Sequence, residues 1–347
     1  MLETLTPVSN DLSPETIRPK VSVVIVTYAS RNEISDCLDS ILKQPVPVEV
    51  LVVDNASPDD TVQIVSDYTA RFGNIHAIVN SENIGLAAAN NSALGKCRGD
   101  YVLILNPDTL LQSSTLTNLV AFLDSNPDVG VVGPKNVYTD GKPHSSFHRR
   151  WGALHILLWR VLPYRVPRWL YDRFSSYQRE DKLFVSGACL MIRRNLFEAI
   201  GGYDREYFLT VEDACDLCIR AKQTGCRVVF VPEAEVVHHG GRSGVQAPYV
   251  VVWQGCRGSI YHCWKHKGIL QAVVVLLFLL ASSGMRAIVA AAMGLFQPRY
   301  RRTSRIYGSV FWSLLVSNPI TIRGRRSGTL ASANTPGSTA SHSEVVS

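Results

Sequence analysis

Runs of β-branched residues alternate with segments of helical spacing through the first part of the chain. Val21-Ser-Val-Val-Ile-Val-Thr27 is a continuous apolar run suited to a strand buried on both faces. Ser30 and Glu33 then stand at capping-box spacing, ahead of a helix that carries Leu38, Ile41 and Leu42 inward. A second strand over 48–53 stops at Asp54, and Ser57-Pro58-Asp59-Asp60 opens the next helix with a cap, a proline and early carboxylates. Strands follow at 75–79 and 101–105, with a small-residue helix over 85–97 between them. A helix around 116–123 leads to a strand at 129–133. This alternation predicts an α/β fold: a mostly parallel central sheet with helices on both faces.

After Pro134 the pattern loosens into a basic, aromatic stretch that lasts to Asp181. Regular structure returns with a strand over 183–192, a helix over 212–224 and a strand over 227–231. Residues 269–285 are uncharged and mostly apolar, and Arg286 separates them from a second apolar run over 287–296. Seventeen residues is the lower limit for a spanning helix. Two helices lying in one leaflet fit equally well, and a buried helix pair is the bland alternative. The domain expectation is a flexible leader over 1–20, a folded α/β domain over 21–268, membrane-associated helices over 269–324 and a disordered tail over 325–347. Residues 134–181 are the variable segment within that domain, expected to face a ligand or the membrane.

Composition narrows the function classes. Hydrophobic residues make up 46% and charged residues 18% of the 347, so the chain folds around a core. The net charge of +6 is concentrated in two arginine clusters. One includes Arg149, Arg150, Arg160, Arg165, Arg168 and Arg173, and the other Arg299, Arg301, Arg302, Arg305, Arg323, Arg325 and Arg326. Their Trp, Tyr and Leu neighbours favour a membrane surface, and no nucleic-acid motif accompanies them. The first residues have neither a basic nor an apolar signal region, which predicts a chain that stays in the cytosol. Eight cysteines without framework spacing then fit reduced thiols. Cys215 and Cys218 have CxxC spacing, with Cys226, Cys256, Cys263 and His262 available for zinc. The pair lies in a helical pattern and lacks a second CxxC, so buried thiols are the expectation.

Candidate chemistry gathers at strand ends. Asn106-Pro107-Asp108 closes the strand over 101–105, and a carboxylate there sits at the mouth of a parallel sheet, where such folds bind ligands. A hard oxygen ligand suits a divalent cation and, through it, a diphosphate. Asp54 at the end of the second strand can accept from a nucleobase imide or a ribose hydroxyl. Both sequences are also ordinary turn chemistry. Asn83-Ile-Gly85-Leu-Ala-Ala-Ala-Asn90 lets a helix N-terminus approach phosphate, although small residues serve tight packing too.

Taken in order, these segments resemble a family 2 glycosyltransferase with the GT-A fold. The match continues through Gly201-Gly-Tyr-Asp204, Phe208-Leu-Thr-Val-Glu212-Asp213 and His238-His-Gly-Gly241-Arg-Ser243, and covers residues 21–268. The Asn-Pro-Asp form resembles rhamnosyltransferase-like members. The resemblance implies inverting transfer of a sugar, rhamnose or a similar hexose, from a nucleotide diphosphate to a saccharide or lipid-linked acceptor in cell-surface polysaccharide synthesis. It implies donor binding at Thr27, Tyr28, Asp54, Asn83, Gly85, Asn90, Asn106 and Asp108. It further implies Mg²⁺ or Mn²⁺ on Asp108 and His238, and a general base at Asp213. The work site would be the cytoplasmic face of the cell membrane.

Two departures stand out. The usual Glu-Asp-x-Asp reads here Glu212-Asp213-Ala-Cys-Asp216, with one residue inserted, so Glu212 and Asp216 share a helix face and Asp213 points elsewhere. Glu212 therefore remains an alternative base, and Asp216 is expected to pair with Arg220. Ala29 follows Tyr28 where the family commonly has asparagine. A dinucleotide oxidoreductase or a nucleotidyltransferase would need a glycine-rich loop after the first strand, and residues 28–33 contain no glycine. The non-enzyme rival is a catalytically inactive relative that only binds nucleotide sugars. Retention of Asp54, Asp108, Asp213 and His238 together weighs against it.

Overall fold

A computed structural model describes residues 18–148, 152–161, 184–239 and 248–317. The chain runs β1 (Val21–Thr27), α1 (Ile34–Leu42), β2 (Val48–Asp54), α2 (Thr61–Arg71), β3 (Ile75–Val79), α3 (Leu86–Leu94) and β4 (Tyr101–Leu105). Then come β5 (Thr109–Leu111), α4 (Thr115–Ser125), β6 (Val129–Val137), β7 (Phe147–His148), α5 (Ala153–Val161), β8 (Phe184–Val185) and β9 (Cys189–Arg193). Helices α6 (Arg194–Ala199) and α7 (Glu212–Gln223) precede β10 (Arg227–His238), and α8 (Pro248–Lys267), α9 (Ile269–Phe296) and α10 (Arg299–Val316) close the described chain.

The main sheet has the order β3-β2-β1-β4-β9-β6-β10-β5. It is parallel across its first four strands, and β9 runs antiparallel between β4 and β6. Every residue of β1 is buried, as its unbroken β-branched run requires. Its alternate side chains divide between two cores. Val24 and Val26 face α3, α7 and α8, while Val21, Val23 and Ile25 face α1, α2 and α4. Helices thus cover both faces.

Several local expectations change. The capping box does not form: α1 begins at Ile34, and the Ser30 hydroxyl turns back to the Tyr28 backbone instead. Ala29, with φ of 52°, supplies the reversal that redirects it. Helix α2 begins at Thr61 and not at Ser57, because the Ser57 hydroxyl and amide are taken by Asp54. The run over 183–192 is two strands. Residues 186–188 break it, sending β8 to pair with β7 while β9 enters the main sheet. Strand β10 extends to His238, with an irregularity between Val231 and Glu235.

At the C-terminus, α9 is one continuous helix of 28 residues, about 42 Å long, so of the arrangements left open by the sequence the two that split this run into a helix pair do not form. Arg286 does not interrupt it, since its guanidinium donates to the Tyr307 hydroxyl of α10 (3.0 Å) and lies over that ring. Ala272, Val275, Leu279, Ser283, Ala290 and Gly294 form the packed face. The opposite side carries Leu270, Leu277, Met285, Ile288 and Leu295, each at least 60% exposed among the described residues. A core helix pair would bury both faces; among the described residues one is covered. The tail over 325–347, Arg323, Arg325 and Arg326, the 1–17 leader and most of the first arginine cluster lie outside the described residues.

Candidate active site

The C-terminal ends of β1, β2, β4 and β10 meet the start of β9 along one edge of the sheet. The Asn106-Pro107-Asp108 turn is fixed there on both sides. The Asn106 amide donates to the Ala188 carbonyl (2.9 Å), and the His239 amide donates to the Asp108 carbonyl (3.0 Å). Antiparallel pairing of His238 with Thr109 then brings the His238 imidazole Nε2 to 3.3 Å from Asp108 Oδ1. Burial alone would push the Asp108 carboxyl up, but the hydrogen bond and charge of His238 outweigh it and hold the group below the ordinary carboxylate range.

Adjacent ligands of an octahedral ion lie about 3 Å apart when each is about 2.1 Å from it, so this carboxylate–imidazole pair has the spacing of two neighbouring ligands. Among the described residues no group of three or more His, Cys, Asp or Glu side chains is placed to hold a metal. Cys215 and Cys218 are buried thiols in α7. A site of two protein ligands suits Mg²⁺ or Mn²⁺ shared with substrate phosphates and water. Gly241 and Ser243 of the histidine motif lie outside the described residues.

Asp54 is buried at the end of β2 and knits the strand ends together. Its Oδ1 accepts from Thr27 (2.8 Å) and from the Ser57 hydroxyl, and its Oδ2 accepts from the Ser57 amide (2.9 Å). A carboxylate has about four acceptor positions, so three of Asp54's are in use. Thr27 is therefore a support of Asp54, while the Tyr28 side chain remains half-exposed at the rim. Ala29 adopts the left-handed region, where asparagine is enriched and alanine uncommon, so the departure at this position carries a backbone cost.

The N-terminus of α3 opens on the same edge. Asn83 Oδ1 accepts from the Gly85 amide (3.0 Å), and Asn55 Nδ2 donates to the Gly85 carbonyl (3.3 Å). Gly85 has φ of 85° and ψ of 164°, a region open essentially to glycine alone. An added Cβ would lie 2.6 Å from the Phe208 ring, so the glycine lets the 204–212 segment close over the helix start. Asn90 is turned inward, bonding to the Leu86 carbonyl (3.0 Å) with its Oδ1 unpartnered.

Glu212 and Asp213 open α7, both about 4% exposed, and they face different neighbours. Glu212 accepts from Ser259 of α8 (2.7 Å). Asp216, one turn on, accepts from Arg220 (2.8 Å), Lys265 (2.6 Å) and His266 (2.7 Å). Burial would raise Asp216, but the His266 hydrogen bond, Arg220 and Lys265 hold it well below the usual range. Asp213 faces the other way, with Oδ1 on the Ala214 amide and beside Gly187, and with Oδ2 buried without a partner. Burial pushes its carboxyl up to about 7, and the charges of Glu212 and Asp216 add to the rise. This carboxylate is poised to exchange a proton near neutral pH. Residues 186–188 connect the two groups, since Gly187 flanks Asp213 and Ala188 anchors Asn106.

Sequence reasoning passed over three contributors. Asn91, next to the proposed Asn90, clasps the Tyr203 backbone through both its amide atoms (2.7 Å each). His144 sets its ring edge-on to His238, 4.9 Å between centroids, from the variable segment. Ser259 secures Glu212 from 47 residues away. None sits in a motif, so their only signal is the fold itself.

Comparison with known proteins adds independent findings. The family described as "Glycosyl transferase family 2" matches residues 22–201, and Asp213 and His238 lie just beyond that match. The N-acetylglucosaminyl-diphospho-decaprenol L-rhamnosyltransferase of Mycobacterium tuberculosis is 30% identical over 252 residues, spanning 65% of this chain and 78% of that one. The poly(ribitol-phosphate) beta-N-acetylglucosaminyltransferase TarS of Staphylococcus aureus is 31% identical over 190 residues, 50% of this chain and 33% of TarS. Among solved structures, the mannosyltransferase PcManGT of Pyrobaculum calidifontis, in complex with GDP-Man and Mn2+, aligns with a TM-score of 0.52. It is 22% identical and covers 89% of each chain, which shows a shared GT-A fold.

Proposed function

The chain belongs to glycosyltransferase family 2 and is a glycosyltransferase, and from that premise we propose an inverting enzyme that moves rhamnose or a similar hexose from a nucleotide-diphosphate donor to a lipid-linked saccharide acceptor. The observation that carries the mechanism is Asp213. Its carboxyl is buried, raised to about 7 and has one unpartnered oxygen, beside Gly187 in the segment whose Ala188 anchors the Asn106–Asp108 turn. Such a group takes the proton of an acceptor hydroxyl as that oxygen attacks. A new bond forms between the acceptor oxygen and the anomeric carbon, the bond to the diphosphate breaks, and its electron pair leaves with the nucleoside diphosphate. One displacement inverts the anomeric centre.

Asp54 is the proposed contact to the nucleobase imide or ribose, through the acceptor position that Thr27 and Ser57 leave open. Asn83 and Gly85 would border the diphosphate path at the positive end of the α3 dipole, although the Gly85 and Leu86 amides themselves are taken by Asn83 and the Phe208 carbonyl. Asp108 and His238 would hold Mg²⁺ or Mn²⁺, which supplies charge neutralisation on the departing diphosphate. The choice of a lipid-linked acceptor is supported by the decaprenol-linked substrate in the name of the mycobacterial relative. Turnover is tested with purified protein, a panel of dTDP-, UDP- and GDP-sugars and a polyprenyl-diphosphate-linked saccharide, reading released nucleoside diphosphate. Release that depends on acceptor supports the assignment; donor binding without release would identify an inactive relative.

The proposed working place is the cytoplasmic membrane face. The exposed stripe of α9 would bury apolar area in the bilayer, and Arg299, Arg302 and Arg305 at the start of α10 are exposed beside it. Each arginine near anionic lipid adds roughly 1 kcal/mol to the attraction. Deleting residues 269–347 should move the protein from the membrane to the soluble fraction on centrifugation. A full-length protein that fractionates as soluble without detergent would contradict this reading.

A further inference from the structure

We propose that helix α8 is the positioning element for the catalytic carboxylate, with Arg257, Gly258 and Ser259 in succession holding the 206–212 segment and, through Glu212, setting Asp213. The inference rests on the reading of Asp213 as the base. Three consecutive residues of α8 engage three points of the segment that leads to it. The Arg257 guanidinium, 6% exposed, donates to the Glu206 carbonyl and to Glu206 Oε2 (2.9 Å). Gly258 lets the helix press against Thr210, since a Cβ there would lie 2.5 Å from Thr210 Cγ2. Thr210 Oγ1 in turn accepts from the Glu212 amide (3.0 Å). Ser259 then donates to Glu212 Oε1 (2.7 Å), with both groups buried.

The same helix holds α7 at a second level. Lys265 and His266 reach Asp216 Oδ1 at 2.6 and 2.7 Å, and Lys265 and Tyr261 reach Asp204 Oδ2 at 2.6 and 2.9 Å. Residues 212 and 216 are one turn apart on a single face, so tying both to α8 fixes the rotation of α7 about its axis. Asp213 follows Glu212 by about 100° of helix rotation, and is thereby directed away from α8 toward Gly187. The carboxylate itself is held only locally, through Oδ1 on the Ala214 amide, and its Oδ2 is left without a partner; the anchors to α8 are carried by its neighbours. Misplacing a reacting group by about 1 Å costs on the order of a hundredfold in rate, so these contacts bear on turnover as well as on packing.

The test uses full-length protein and whichever sugar nucleotide of the dTDP, UDP and GDP panel the wild type turns over. Ser259→Ala should lower kcat by roughly ten- to a hundredfold, with donor KM within about twofold and the circular dichroism spectrum unchanged. Acting through Glu212, it should lower kcat no further when added to Glu212→Ala, because contacting residues in one chain of action are non-additive. Gly258→Ala, which pushes Thr210 instead of removing a bond, should reproduce the kcat loss with steady KM, and serves if Ser259→Ala does not fold. Wild-type kcat in Ser259→Ala, or in Gly258→Ala where that variant stands in for it, would overturn the proposal, as would losses that add in full with Glu212→Ala. The two readings fail separately. Wild-type kcat in Asp213→Asn removes the base itself, whereas a dead Asp213→Asn beside an unaffected Ser259→Ala removes only the positioning role.

Discussion

Replacing Asp213 by asparagine is expected to lower kcat by about two to four orders of magnitude, the usual worth of a positioned general base, while donor binding stays nearly unchanged. The substitution keeps the shape and loses the proton acceptor. Glu212→Gln should cost much less, because its neighbour Ser259 can still donate to the amide oxygen. The pH profile sharpens the test. With the Asp213 carboxyl at about 7, wild-type kcat should climb as pH rises through neutrality and level off above it, since only the ionised form accepts a proton. Stability should run the other way. The folded value lies above the unfolded 3.8, so the contribution is complete below about 3.8 and is lost as pH rises through 7. Asp213→Asn should therefore melt no lower than wild type above neutral pH, as expected when a site strained for function is relaxed. A larger rate loss in Glu212→Gln than in Asp213→Asn would move the base to Glu212.

Asp108→Ala should abolish transfer with the fold intact. The carboxylate is the anionic member of the Asp108–His238 pair, and a divalent ion held there would also hold the donor phosphates. Donor affinity should fall in the same variant, as read by titration of the nucleoside diphosphate in the presence of Mn²⁺. His238→Ala should give a milder loss, since the carboxylate remains. EDTA should silence the wild type, and Mg²⁺ or Mn²⁺ should restore it. Full activity in chelator would remove the metal from the account.

The parts of this architecture that sequence makes legible are those encoded locally. Unbroken β-branched runs such as 21–27 leave little choice but a strand buried on both faces, and the polar residues that stop them mark the edge of the sheet that carries the candidate site. The i,i+4 relation of Glu212 and Asp216 is equally local, and their shared face is the one turned to α8. What stayed hidden depends on distant partners. The run over 183–192 reads as one strand because nothing near it reveals that Gly187 must pack closely on Ala214 and Ala188 must anchor Asn106. Arg286 reads as a break until Tyr307 is folded against it. The Ser30–Glu33 spacing fits a cap, but Ala29 turns the serine away. His144 and Ser259 have no local signature, since each matters only through a residue brought to it by the fold.

The configuration of the transferred sugar tests the central claim most directly. Proton NMR of the product, made from a donor of known anomeric configuration, reports whether the new glycosidic bond is inverted. A single displacement with Asp213 taking the acceptor proton predicts complete inversion, with one nucleoside diphosphate released for each bond formed. Retention of configuration would contradict that mechanism and the role it gives to Asp213.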